Sequence, residues 1–189
     1  MKRWLLCFLF VMFSIPIFAD GLTGVLGVSF GKSKDEVISI MKEKGWKVSS
    51  KKEDKLIFTK EKGTYASLTV KEIEFSFYKD RFYHAYINFP YNIKLDDITS
   101  AVKTIRENFK MELINSGDAG ISRTSKSLYY IYRDSSMNKF TFCLIDGGSI
   151  TQALFFFEDY AISSEKEADE KIKKEEEEKE KSKSMSADL

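Results

Sequence analysis

Histidine and cysteine are almost missing from this sequence of 189 residues, which holds one histidine and two cysteines. A single imidazole, that of His84, cannot supply the several histidine ligands of common zinc sites. His84 and Cys143 are the only imidazole and thiol that a cleaved chain could use together, and they fall in predicted strands of different halves. No G-x-S-x-G motif and no phosphate-binding glycine loop is present. We therefore expect no catalytic residue, no metal and no cofactor, and a protein that is not an enzyme.

A strong charge of one sign is missing as well. The formal net charge is +1, from 30 Lys and Arg against 29 Asp and Glu. Nucleic-acid binding needs concentrated Lys and Arg that displace counterions from the phosphates. The sequence thus argues against a nucleic-acid partner.

The apolar run at the start of the chain is short. Lys2 and Arg3 precede apolar residues 4–13, and Ala19 offers a candidate cleavage point. A membrane-spanning helix needs about 20 apolar residues, whereas this arrangement is typical of a secretory signal peptide. We predict a signal peptide over residues 1–19 of a bacterial protein that is periplasmic or secreted, with no membrane span after cleavage. Retention of the segment as an anchor is the alternative.

The first half of the remaining chain begins with a helix signal. Ser33 stands three residues before Glu36, the spacing of a capping box, and apolar residues then recur on one side of a helix. Short strands with polar and charged turns follow, and Pro90 stops the last of them. We predict a unit over about residues 24–90 in which one helix precedes an antiparallel meander.

The second half repeats this order over about residues 91–160. The apolar stripe of its helix is Leu95, Ile98, Val102, Ile105 and Phe109. A loop is expected at residues 115–120, and strands at residues 128–133, 139–145 and 149–157. The fold class predicted for residues 20–163 is α+β, with tandem helix-plus-antiparallel-meander repeats that form one sheet and helices on one face of it.

The chain changes character at residue 164. Residues 164–189 are dominated by Lys and Glu, with few apolar residues. Such a segment buries too little apolar surface to offset its ordering entropy. We predict a charged tail that is disordered or transiently helical.

The predicted strands of the second half carry more aromatic residues than a one-sided sheet requires. Both faces are apolar, although a sheet with helices on one side needs only one apolar face. The second face must be covered by more of this chain, by another subunit or by a ligand. Folding of residues 25–30 or of the tail over it is the structural alternative. The candidate partner-binding residues are Tyr86, Tyr129, Phe155 and Phe157.

The opening motif resembles two groups of small exported bacterial proteins. Residues 27–37 read GVSFGKSKDEV, a glycine and an aromatic residue followed by S-x-x-E-V at a helix start. This is similar to the outer-membrane-assembly lipoproteins of the SmpA/OmlA group and to β-lactamase-inhibitor-like domains. In the latter, two helix-plus-strand repeats share one sheet. The resemblance implies that fold and a cell-envelope location, although the lipidated cysteine of the lipoproteins is missing here.

Two functions remain open at this point. The first is a non-catalytic, exported cell-envelope protein that binds another protein through an aromatic sheet face. The second is a carrier of a small apolar ligand in an aromatic-lined concavity. The sequence leaves the partner, the ligand and the oligomeric state open.

Overall fold

The helix signal at Ser33 produces the predicted cap. Helix α1 (Lys34–Glu43) starts directly after Ser33, whose hydroxyl accepts a hydrogen bond from the Glu36 amide. The Glu36 carboxylate in turn accepts from the Ser33 amide at 2.9 Å, which completes the capping box. Hydrogen bonds from the Lys32 ammonium and from Ser33 lower the pKa of Glu36 to about 2. The predicted helix start is therefore confirmed.

The computed structural model describes residues 21–118, 126–146 and 151–187, so the predicted signal peptide, residues 1–19, lies outside it. In the first half the main strands are β3 (Lys47–Lys51), β4 (Lys55–Thr59), β7 (Glu72–Tyr78) and β8 (Arg81–Asn88). Two small ribbons accompany them, β1 (Gly24–Val25) with β2 (Val28–Ser29) and β5 (Thr64–Tyr65) with β6 (Leu68–Thr69). The second half comprises α2 (Leu95–Asn108), β9 (Glu112–Asp118), β10 (Lys126–Arg133), β11 (Lys139–Asp146), β12 (Thr151–Glu158) and α3 (Tyr160–Ala187).

Eight of these strands form one antiparallel sheet in the order β3–β4–β7–β8–β12–β11–β10–β9. Each of α1 and α2 is followed by four strands of this sheet, and the two groups meet at its centre, where β8 pairs with β12. The seam runs from Leu154 opposite Asn88 to Glu158 opposite His84. The predicted α+β class with a single antiparallel sheet is confirmed.

One hydrophobic core lies on a single face of this sheet. Buried residues of α1 and α2 pack there with the inward residues of both strand groups. Aromatic contacts cross between the halves, since the Phe89 and Phe155 rings lie 4.7 Å apart and the Tyr65 and Phe157 rings 5.6 Å apart. The face carrying the core is therefore the face on which α1 and α2 lie.

The structure differs from the sequence expectation at β9. Residues 115–118, predicted as the start of a loop, belong to this strand, which pairs with β10 and forms one edge of the sheet. The sequence ELINSGD alternates poorly because the strand is exposed along nearly its whole length. Edge strands of this kind lack the apolar alternation by which strands are found.

The start of the described chain is tied to the second half by Asp134. Its buried carboxylate accepts a hydrogen bond from the Leu22 amide at 2.6 Å and two more from the Ser136 and Asn138 amides, at 2.9 Å each. The Asn138 side chain donates back to the Leu22 carbonyl at 2.7 Å. This cluster ties residues far apart in sequence together and gives the buried Asp134 carboxylate three backbone donors.

The segment predicted as a tail is part of α3 in the structure. This helix begins at Tyr160, and Ile162 and Ser163 are buried. Its first turns are fixed to the β7–β8 hairpin by ion pairs and a hydrogen bond: Glu165 with Lys79 and Arg81, and Asp169 with Lys79 and the Tyr78 hydroxyl. Beyond this contact residues 170–182 of the helix are exposed, including Ile172.

Candidate functional site

The sheet face opposite the core carries a strip of aromatic and aliphatic side chains, which we call the open face. Its centre is formed by Tyr86 on β8, Phe156 and Leu154 on β12, and Tyr129 on β10, all of them half-buried. Phe156 pairs with Tyr86 across the central seam, and Cys143 on β11 stands between Leu154 and Tyr129. Side chains of directly paired residues point to the same face, so these residues form one continuous surface.

The four residues predicted from the sequence do not share a face. Tyr86 and Tyr129 lie on the open face as expected. Phe155 and Phe157 lie in the core, fully buried beneath α1, α2 and the small ribbons. They cannot contact a partner in the folded chain, and the assignment of these two residues is corrected here: Phe156 takes their place on the open face.

The reason for this error is the run of three phenylalanines. When both faces of a strand are apolar, hydrophobic alternation does not indicate which one is inside. Polar residues do carry the signal, because Gln152 and Glu158 have the same parity as Phe156 and therefore mark the outward face of β12. Lys139 and Thr141 mark the outward face of β11 in the same way.

Three aromatic rings of the open face, those of Phe156, Tyr86 and His84, lie next to one another. The Phe156 ring lies 5.1 Å from the Tyr86 ring and 6.1 Å from the imidazole of His84. Burial is the main cause that lowers the pKa of His84, so the ring is held in its neutral form. Burial also raises the pKa of the Tyr86 hydroxyl. The centre of this surface is thus apolar and uncharged.

Polar pairs surround this apolar centre. Lys139 and Glu158 form an ion pair of 2.8 Å at one side, and Lys55 and Glu74 form another of 2.8 Å across β4 and β7. At the other end of the seam, the Asn88 side chain accepts from Gln152 at 2.9 Å and donates to Glu72 at 3.0 Å. An uncharged aromatic centre inside a polar rim is the organisation of protein–protein interfaces.

A second feature is a groove of about 510 Å³ between α2 and strands β10 and β11, which we call the α2 groove. It lies on the core face, near the β9 edge of the sheet. Its aromatic floor consists of Tyr130, Tyr132 and Phe142, and the Arg106 guanidinium lies over the Tyr132 ring at 4.8 Å. Leu95 was predicted as part of the buried stripe of α2, but it is 57% exposed at the groove mouth.

The remaining chemical groups are far apart. Cys143 and His84 both lie on the open face, but Cys143 pairs with Leu154 of β12 and His84 pairs with Glu158. These two positions are four residues apart along β12, which corresponds to about 13 Å. Burial raises the pKa of the Cys143 thiol, which favours its protonated form. In the described part of the chain, no three His, Cys, Asp or Glu side chains are grouped to hold a metal ion.

No protein-family model matches this chain, and neither a curated protein nor a solved structure gives a match. Among the helices of residues 21–118, 126–146 and 151–187, none is both long and apolar enough to cross a membrane.

Proposed function

We propose that this chain is a non-catalytic protein of the bacterial cell envelope, periplasmic or secreted, that binds another protein through the open face. The observation that carries this proposal is the aromatic centre of Tyr86, Tyr129 and Phe156 on a sheet face opposite α1 and α2. Export rests on the signal-like start of the sequence. The resemblance of residues 27–37 to the SmpA/OmlA lipoproteins and the β-lactamase-inhibitor-like domains adds support for an envelope location.

The energetic argument is that of a protein interface. Aromatic residues at the centre of a patch dominate binding when a polar rim excludes water around them. Here the Tyr86 and Phe156 rings are already ordered by their contact with each other, so little of their side-chain entropy is lost when a partner covers them. The charged residues of the rim stay paired with each other, and no charged group has to be desolvated at the centre of the interface.

The test is site-specific photocrosslinking in cells. A photoreactive amino acid is placed at Phe156 or at Tyr129, and the matched control places it at Ile172 on the exposed part of α3. We expect one discrete adduct from the first two positions that is missing from the third. An adduct of twice the chain mass would identify the partner as a second copy. No adduct from either open-face position, or the same adducts from all three, would refute the proposal.

The α2 groove favours a second candidate function, the carriage of a small apolar ligand. A volume of about 510 Å³ lies within the range of small-molecule sites. The aromatic floor of Tyr130, Tyr132 and Phe142 meets the requirement of an aromatic-lined concavity, although these rings differ from the four predicted ones. Titration with dodecanol, a neutral apolar probe, should give saturable binding that Leu128→Ser weakens. Binding that is unaffected by the substitution would exclude the groove as the site.

A further inference from the structure

The α2 groove exists because α2 covers only part of the core face. Coverage decreases across one row of the sheet: Ala153 on β12 is fully buried, Leu144 on β11 is partly exposed, and Leu128 on β10 is 39% exposed. Leu95 stands at the first turn of α2 on the opposite wall, also exposed. Two large aliphatic side chains thus face the same space from the helix and from the sheet. This end of the groove is apolar.

The other end of the groove is cationic. Lys103 and Arg106 lie in the second half of α2 and line both the groove and the adjoining depression of about 280 Å³. The Arg106 guanidinium lies over the Tyr132 ring and its side chain is exposed, so its in-plane N–H donors are accessible to an oxyanion. Lys103 is largely exposed and lies 3.9 Å from Glu107, a loose pair that an incoming anion can replace.

These two ends are arranged along the helix axis. Arg106 follows Leu95 by eleven positions, which corresponds to about 16 Å along an α-helix. Asp118 stands opposite Leu128 in the sheet register at the apolar end, whereas the acidic residue beside the cationic end, Glu107, faces two cations, Lys103 and Arg106. An anionic group therefore has one favoured position, beside Arg106 and Lys103.

We propose that the α2 groove binds a single-chain amphiphile with a carboxylate head, such as a fatty acid. The carboxylate pairs with Arg106 and Lys103. The chain lies over Tyr130 and Phe142 and ends between Leu95 and Leu128. This inference rests on the second candidate function, which it deepens by assigning the chemistry of the head group.

The experiment compares two probes that differ only in the head group. The protein lacking only the predicted signal peptide, residues 1–19, is titrated calorimetrically with dodecanoate and with dodecanol. We expect tighter binding of dodecanoate, and Arg106→Gln should weaken it about ten- to a hundredfold, a much larger factor than the loss for dodecanol, which has no charge for Arg106 to pair with. Arg106→Lys, which keeps the charge but loses the planar fork, should fall in between. The matched control, Lys171→Gln on α3, should change neither affinity.

The outcomes distinguish the carrier function of the α2 groove from the assignment of a carboxylate head group. Equal binding of both probes with no effect of Arg106→Gln would overturn the head-group assignment and leave the carrier function standing. Binding of neither probe would overturn both. Methyl NMR signals of Leu95, Leu128 and Leu144 give a second readout, because dodecanoate should shift all three. Shifts confined to leucines outside the groove would also overturn the proposal.

Discussion

Two adjacent phenylalanines of β12 should respond in opposite ways to the same substitution. Phe157 is fully buried, and its ring lies 4.9 Å from Phe140 and 5.6 Å from Tyr65. Phe157→Ala should destabilise the fold by about 3–5 kcal/mol, since it removes a buried ring and leaves a cavity. Phe156 is half-buried and contacts mainly Tyr86. Phe156→Ala leaves no enclosed cavity and should cost only about 1–2 kcal/mol.

The assay is urea unfolding of both variants, followed by circular dichroism. A domain of ordinary stability, about 5–15 kcal/mol, can lose most of it through Phe157→Ala and can even be unfolded without urea. Phe156→Ala should retain a cooperative transition with an unchanged m-value. With the photoreactive amino acid at position 129, the same substitution should abolish the crosslinked adduct. If Phe156→Ala destabilised the fold as much as Phe157→Ala, the assignment of the two faces, and the open face with it, would be refuted.

Three further predictions concern pH, the Asp134 cluster and the helix cap. Burial lowers the pKa of His84 in the folded state, so the unfolded chain takes up this proton first. The stability is unaffected above the ordinary value near 6.5 and falls as the pH drops from there through the lowered pKa of the folded state. His84→Gln should flatten this loss in urea titrations between about pH 7 and 5. The charged groups that also act on this ring are Glu158, Glu74, Lys55 and Lys139. Asp134→Asn should cost about 2–3 kcal/mol, because an NH₂ donor then replaces the carboxylate oxygen that accepts from the Leu22 N–H. Hydrogen exchange at Leu22 should accelerate, and unchanged exchange would contradict this explanation. Ser33→Ala should cost about 1 kcal/mol and Ser33→Asp much less, because only the latter keeps an acceptor for the helix amides; equal losses would show that the cap does not matter.

The elements that could be predicted from the sequence are those with a local signal. The α1 cap needs only Ser33, Glu36 and the residues between them, so its spacing is sufficient. The stripe of α2 predicts Ile98, Val102 and Ile105 as buried, and they are. Leu95 has the same spacing but is exposed, because its burial depends on how far α2 extends over the sheet rather than on the helix period.

The candidate site was harder to predict, for a related reason. Tyr86 and Tyr129 lie on the open face, whereas Phe155 and Phe157 lie in the core. All four residues of the run 154–157 are apolar, so the sequence of this run does not indicate which of its two faces points outward. Which face points outward depends on the face that α1 and α2 cover. Within β12, only the polar residues Gln152 and Glu158 indicate this from the sequence. The α2 groove also required the structure, because its walls come from a helix and from strands more than 20 residues away in sequence.

The position of β12 constrains the order in which the molecule can be completed. It is the last strand of the described residues, yet it lies in the middle of the sheet, between β8 and β11. Until residues 151–158 have left the ribosome, the two strand groups have no seam, and Phe89 and Phe140 lack the Phe155 ring against which both pack. A nascent chain of this topology therefore cannot close its eight-stranded sheet until β12 itself is available to pair with both β8 and β11.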